Sequence, residues 1–148
     1  MKILKLMPIL AVLFMLNVAS MCSSDDDDSS SSVGTTQVTN SVTNGTWRVA
    51  LYNEDGAVHT SNYSGYAFTF NSSGALAAIS GAATKSGTWS TESDSGSTKF
   101  NIGFSDADGP FESISEDWKV LTVTSTRISL KHISGGDGGT DYLTFEKN

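Results

Sequence analysis

The stretch GYAFTFNSSGALAAIS, residues 65–80, reads as two strands joined by a turn. Tyr66, Phe68 and Phe70 recur at every second position, with Ala67 and Thr69 between them. Side chains alternate faces along an extended chain, so this spacing puts three aromatic rings on one side of a β-strand. Asn71–Gly74 follows with the chemistry of a turn, and ALAAIS starts a second strand. A strand, a four-residue turn and another strand make an antiparallel hairpin.

The same grammar extends in both directions. GTWRVALYN (45–53) alternates Trp47, Val49 and Leu51 against Thr46, Arg48 and Ala50. KSGTWSTE (85–92) and TKFNIGFS (98–105) follow the hairpin, and the latter places Phe100, Ile102 and Phe104 on one face. DWKVLTVTS (117–125) and TRISLKHIS (126–134) make a tight hairpin, and TDYLTFEK (140–147) is the last strand. Glycine-bearing turns fall at NEDG, DSGS and GGDGG. One interval departs from period two. In DADGPFESISEDW (106–118), Phe111, Ile114 and Trp118 are spaced by three and four, Pro110 suits a first helical position, and Glu112 suits the first turn. A short helix of about two turns is expected there, capping one end of the sheet. An irregular loop with buried Phe111 and Ile114 is the alternative.

Eight sequential antiparallel strands with short connections predict an all-β fold, an eight-stranded up-and-down barrel, because closure removes exposed edges. A two-sheet β-sandwich is the alternative. The domain, residues 44–148, holds all three tryptophans and all four tyrosines, enough for one core. The side chains placed in the barrel interior are Trp47, Phe68, Trp89, Phe100, Phe104 and Trp118. These are the candidate ligand-binding residues. They also compete for the space of a small barrel, so any cavity should be small or shallow.

Ahead of the domain the chemistry changes. Lys2 and Lys5, an apolar run from Leu6 to Leu16 and the small residues Ala19 and Ser20 describe a secretory signal peptide over residues 1–21. The apolar run covers about 11 residues, against roughly 20 for a spanning helix. Cys22 is the only cysteine in the chain, so it has no intramolecular disulfide partner. VASMC (18–22) resembles a bacterial lipobox, with Met21 where Gly, Ala or Ser is usual, and this implies lipidation of Cys22. Residues 22–43 contain no aromatic residue and are expected to form a flexible Ser/Asp-rich tether, spanning on the order of 25 Å. Removing Lys2 and Lys5 from a chain of net charge −7 leaves −9, which disfavours nucleic acid as a partner.

GTWRV at the first strand, YAFTFNSSG, the second GTW at 87–89, EDWKV and the closing GGTDYLTFEKN together resemble the lipocalin-like lipoproteins common in Bacteroidota. The resemblance spans residues 44–148 and implies an eight-stranded lipocalin-like barrel on a lipid anchor in the outer membrane. It implies that Gly45 and Trp47 match the Gly-x-Trp whose tryptophan packs across one barrel end. It also implies that Asp25, Asp26, Asp27 and Asp28, behind the lipidated cysteine, are a signal for export to the cell surface.

Catalytic chemistry is not expected. His59 and His132 have neither a partnering cysteine nor metal-ligand spacing. DADGPFESISED opens like a calcium loop, but Pro110 and Phe111 stand where the EF-hand needs an Asp or Asn and a Gly. GGDGGTD occurs once and reads as a hairpin turn, with weak calcium binding at Asp137 and Asp141 as the alternative. No metal, cofactor or enzymatic activity is therefore assigned. The expected function is a lipid-anchored module binding a small apolar or amphipathic ligand at the cell surface; a filled barrel that docks another envelope protein is the alternative.

Overall fold

The computed structural model describes residues 32–106, 108–136 and 138–148. The signal peptide, Cys22, Asp25–Asp28, the tether as far as Ser31, and Asp137 lie outside the described residues.

Eight long strands form a closed antiparallel barrel. They are β1 (Trp47–Glu54), β3 (Ala67–Phe70), β4 (Ala75–Ser80), β5 (Ala83–Asp94), β6 (Ser97–Phe104), β7 (Asp117–Val123), β8 (Arg127–Ile133) and β9 (Thr140–Lys147). Each of β3 to β8 pairs with the next in sequence. The ring closes on β1, which pairs with β9 from Trp47↔Lys147 to Glu54↔Asp141 and with β3 at Trp47↔Phe68. That closure rules out the two-sheet sandwich, in which β1 and β9 would be separate edges. A two-residue strand, β2 (Ala57–Val58), folds back on the end of β1, and a 3₁₀ turn (Thr60–Tyr63) leads into β3.

The turns behave as their residues require. Asp55 and Gly56 both have positive φ (48° and 93°), as do Ser95 and Gly96 (51° and 83°), the primed geometry that matches strand twist. In the third predicted turn, the Ser134 amide donates to the Gly139 carbonyl.

Strict alternation fails in β1. Trp47 and Val49 face the core, but Tyr52 is buried there and Leu51 is not. The ladder with β9 shifts between Val49 and Leu51, a β-bulge that moves every later side chain to the opposite face. Nothing in the residue pattern marks the extra residue.

The tether is shorter than composition predicts. Thr35–Val42 forms a helix, α1, with Val38 and Val42 both 0% exposed. Valines four apart share one helical face, and two of them suffice once the barrel offers a surface to cover. The Thr98 hydroxyl donates to the Val33 carbonyl, and Thr39 and Thr91 hydroxyls lie 3.3 Å apart. The folded unit therefore starts near Val33, not Asn44. The predicted short helix is also present as α2 (Pro110–Ser113), one turn rather than two, with Phe111 and Ile114 buried.

One glycine fixes how closely β5 and β6 approach. Gly87 pairs with Phe104, and a Cβ there would sit 2.3 Å from the Gly103 carbonyl oxygen and 2.8 Å from the Phe104 Cα. Both are backbone atoms of a paired strand and cannot rotate away. Gly87→Ala should cost about 1–3 kcal/mol in urea unfolding; an unchanged midpoint would show that β5 can shift freely.

Candidate functional site

The six interior residues named above all reach the barrel core. Trp47, Phe68, Phe100 and Trp118 are at most 1% exposed, and Trp89 and Phe104 are also buried. They pack on one another and on further aromatic rings. Phe68 meets Phe145 at 5.2 Å between ring centres and Phe104 and Phe111 at 6.3 Å each. Phe70 meets Phe100 and Phe145 at 5.4 Å each and Trp89 at 5.9 Å. Most of these pairs are edge-to-face, the arrangement favoured by ring quadrupoles.

The polar handles of the three tryptophans are used internally. Trp47 Nε1 donates to the Val42 carbonyl (2.9 Å), Trp89 Nε1 to Asn71 (2.8 Å) and Trp118 Nε1 to Ile114 (3.0 Å). Each acceptor lies outside the barrel strands: at the end of α1, in the β3–β4 turn and just past α2. Each indole N–H therefore ties a segment outside the strands to the barrel.

The segment carrying α2 is tied to the barrel by tyrosines. Tyr63 donates its hydroxyl to the Pro110 carbonyl (2.6 Å) and Tyr52 to Ser113 (3.4 Å). Phe111 sits against Tyr66 at 5.0 Å and Phe104 at 4.9 Å. Burial, and then the nearby Glu54 carboxylate, push the Tyr52 hydroxyl from 10.0 up to about 12; burial raises Tyr63 as well. The folded chain thus holds these protons more tightly than the unfolded chain. Stability from Tyr52 is complete below pH 10 and is lost between about pH 10 and 12, an effect on the order of 2–3 kcal/mol. Tyr52→Phe should flatten the alkaline fall in melting temperature over that window. An equally steep fall in the variant would remove Tyr52 as its cause.

The remaining candidates lie toward the ends of the barrel strands and in the loop after β2. Asp141 is buried and its Oδ1 accepts the Asp55 amide at 3.0 Å, so this carboxylate holds the β1–β2 turn. His59 precedes the 3₁₀ turn, and its amide donates to the Tyr52 carbonyl. His132 is different: its ring lies 5.7 Å from Trp118, with Nδ1 3.1 Å from the Asp117 carbonyl and Nε2 3.9 Å from Glu116 Oε2. Asp117 Oδ2 is in turn 3.1 Å from Lys99 Nζ. Lys99, Asp117, Lys119, Lys131, His132 and Ile133 line a surface pocket of about 200 Å³. Sequence inspection could not find this group, since its members come from three strands and meet only through pairing register.

No family model matches the chain, and no curated protein matches it. Among solved structures it is similar to a DUF4847 family protein from Bacteroides vulgatus, with a TM-score of 0.52 at 17% identity, covering 75% of this chain and 97% of that one. At that identity the likeness shows a common barrel fold.

Proposed function

We propose that this chain is a non-enzymatic, lipid-anchored envelope protein of the lipocalin-like kind, held in the outer membrane at the cell surface and acting through its outer wall by docking another envelope component. The lipobox-like VASMC and the acidic run Asp25–Asp28 support the location. Similarity to a Bacteroides barrel accords with the sequence resemblance to Bacteroidota lipoproteins. The observation that carries the docking reading, over a small apolar ligand held inside, is the aromatic packing of the interior. Rings that touch one another at 5–6 Å leave their faces to each other.

The anchor has a direct test. Cys22→Ala should move the protein from the membrane fraction to the soluble fraction of its host, and a variant that stays membrane-bound would overturn the lipid assignment. Protease added to intact cells should remove the wild-type domain while periplasmic markers survive. For the docking reading, the full chain purified from its host and examined by native mass spectrometry should carry no apolar small molecule. A stoichiometric apolar adduct would restore the ligand-binding alternative.

A further inference from the structure

Charge on the outer wall of the barrel is arranged in two contrasting ways. Where β1, β9 and β8 run side by side, Arg48↔Glu146↔Arg127 alternate in sign, and Glu146 accepts from both arginines at 2.7 and 2.9 Å. Where β6, β7 and β8 run side by side, Lys99↔Lys119↔Lys131 place three ammonium groups at directly opposed positions. Like charges directly opposite one another destabilise a sheet. The chain has nine Lys and Arg in all and a net charge of −7, so an accumulation of three on one row runs against its own composition.

Lys99 is met by Asp117 at 3.1 Å. Among the described residues, Lys119 and Lys131 form no ion pair with a carboxylate. Lys131 Nζ lies 6.0 Å from the centre of the Tyr142 ring, its neighbour on β9. The pocket of about 200 Å³ opens at this row. Asp117 and, beside His132, Glu116 are the carboxylates near this row, so the three ammoniums outnumber them and Lys119 and Lys131 are left without an ion-pair partner. Ile133, 62% exposed, and Tyr142, 40% exposed, supply apolar surface beside them.

The geometry points to a binding site for a doubly charged oxyanion, a phosphate or sulfate ester, held by Lys119 and Lys131 with Lys99 at its edge and with the organic part of the ester against Tyr142 and Ile133. Ammonium groups act on such anions as compact point charges. A bound dianion also relieves the repulsion along the row, so the structural cost in the free protein is recovered on binding. The site deepens the outer-wall reading and rests on it, by giving that wall a ligand class. It remains testable on protein in detergent, so a negative result here would leave the filled barrel and its anchor standing.

The test is calorimetric titration of the full chain in a neutral detergent at low salt, with inorganic pyrophosphate as one probe and soluble dihexanoyl phosphatidic acid as the other. Saturable binding of pyrophosphate supports a free phosphate ligand, and binding of the lipid probe alone supports a head group. Binding of neither at millimolar concentration overturns the site. Lys119→Gln with Lys131→Gln should weaken binding at least tenfold and make it less salt-dependent, with a melting temperature equal to or above wild type. Undiminished binding in that double variant overturns the assignment. Lys119→Arg with Lys131→Arg should stay within a few-fold of wild type; loss as complete as in the glutamine variant would show that charge is not what the site supplies.

Discussion

Phe68→Ala should lower the free energy of unfolding by about 3–5 kcal/mol, the range for a buried phenylalanine truncated in a packed core. Phe68 is 0% exposed and touches rings from three other elements: Phe104 on β6, Phe111 on α2 and Phe145 on β9. It also sits opposite Trp47 at the one position where β1 and β3 pair. Its loss therefore opens a void at the thinnest seam of the ring, where neighbours have little freedom to close in. Over 10 °C should be lost from the melting temperature of a domain this size. A fall under about 1 kcal/mol would mean that the site already contains empty space, and with it the closely packed interior would have to be given up.

A chain beginning at residue 44 should be markedly less stable than one beginning at residue 32. Composition alone makes the two equivalent, because it assigns everything before Asn44 to a tether. The structure makes them different. Residues 33–43 bring Val38 and Val42 to full burial and supply the Val42 carbonyl that accepts Trp47 Nε1. Each buried valine contributes roughly 1.5–3 kcal/mol, and an orphaned buried N–H costs roughly 1–3 kcal/mol more, partly offset by the entropy of ordering a short helix. A net loss of several kcal/mol is expected in urea unfolding, and equal midpoints for the two chains would return α1 to the tether. Val38→Ala with Val42→Ala, in the longer chain, should reproduce part of the loss without changing length.

These two cases mark what could be read from residues and what could not. Period-two aromatics such as Tyr66–Phe68–Phe70 and Phe100–Ile102–Phe104 carry the strands directly, because burial on one face is a local demand on every second residue. Turn residues such as Asp55–Gly56 carry the hairpins, because positive φ is a local demand on the backbone. The barrel follows from counting strands and removing edges. What stayed hidden depends on partners. The bulge in β1 is set by register against β9, and α1 becomes a helix only because the barrel presents a surface for two valines. The lysine row exists only in the register linking β6, β7 and β8, since Lys99, Lys119 and Lys131 have nothing in common along the chain. Interior candidates were therefore legible, and the outer-wall pocket was not.

The interior aromatics were readable as residues and ambiguous as chemistry. A tryptophan on an alternating strand looks the same whether it closes a core or faces a ligand. The distinction lies in what covers the ring face, which no residue pattern states; the N–H groups of all three are bonded to backbone carbonyls of the chain itself.

On the proposed function the barrel interior is filled and the outer wall does the binding, and one titration separates this from a ligand held inside. A naturally fluorescent conjugated fatty acid is added to the folded protein while energy transfer from Trp47, Trp89 and Trp118 is followed. A filled interior gives no saturable transfer and no change in tryptophan emission. Saturation at one fatty acid per chain, with quenching that an unlabelled fatty acid reverses, would place a ligand among those tryptophans and overturn the filled barrel.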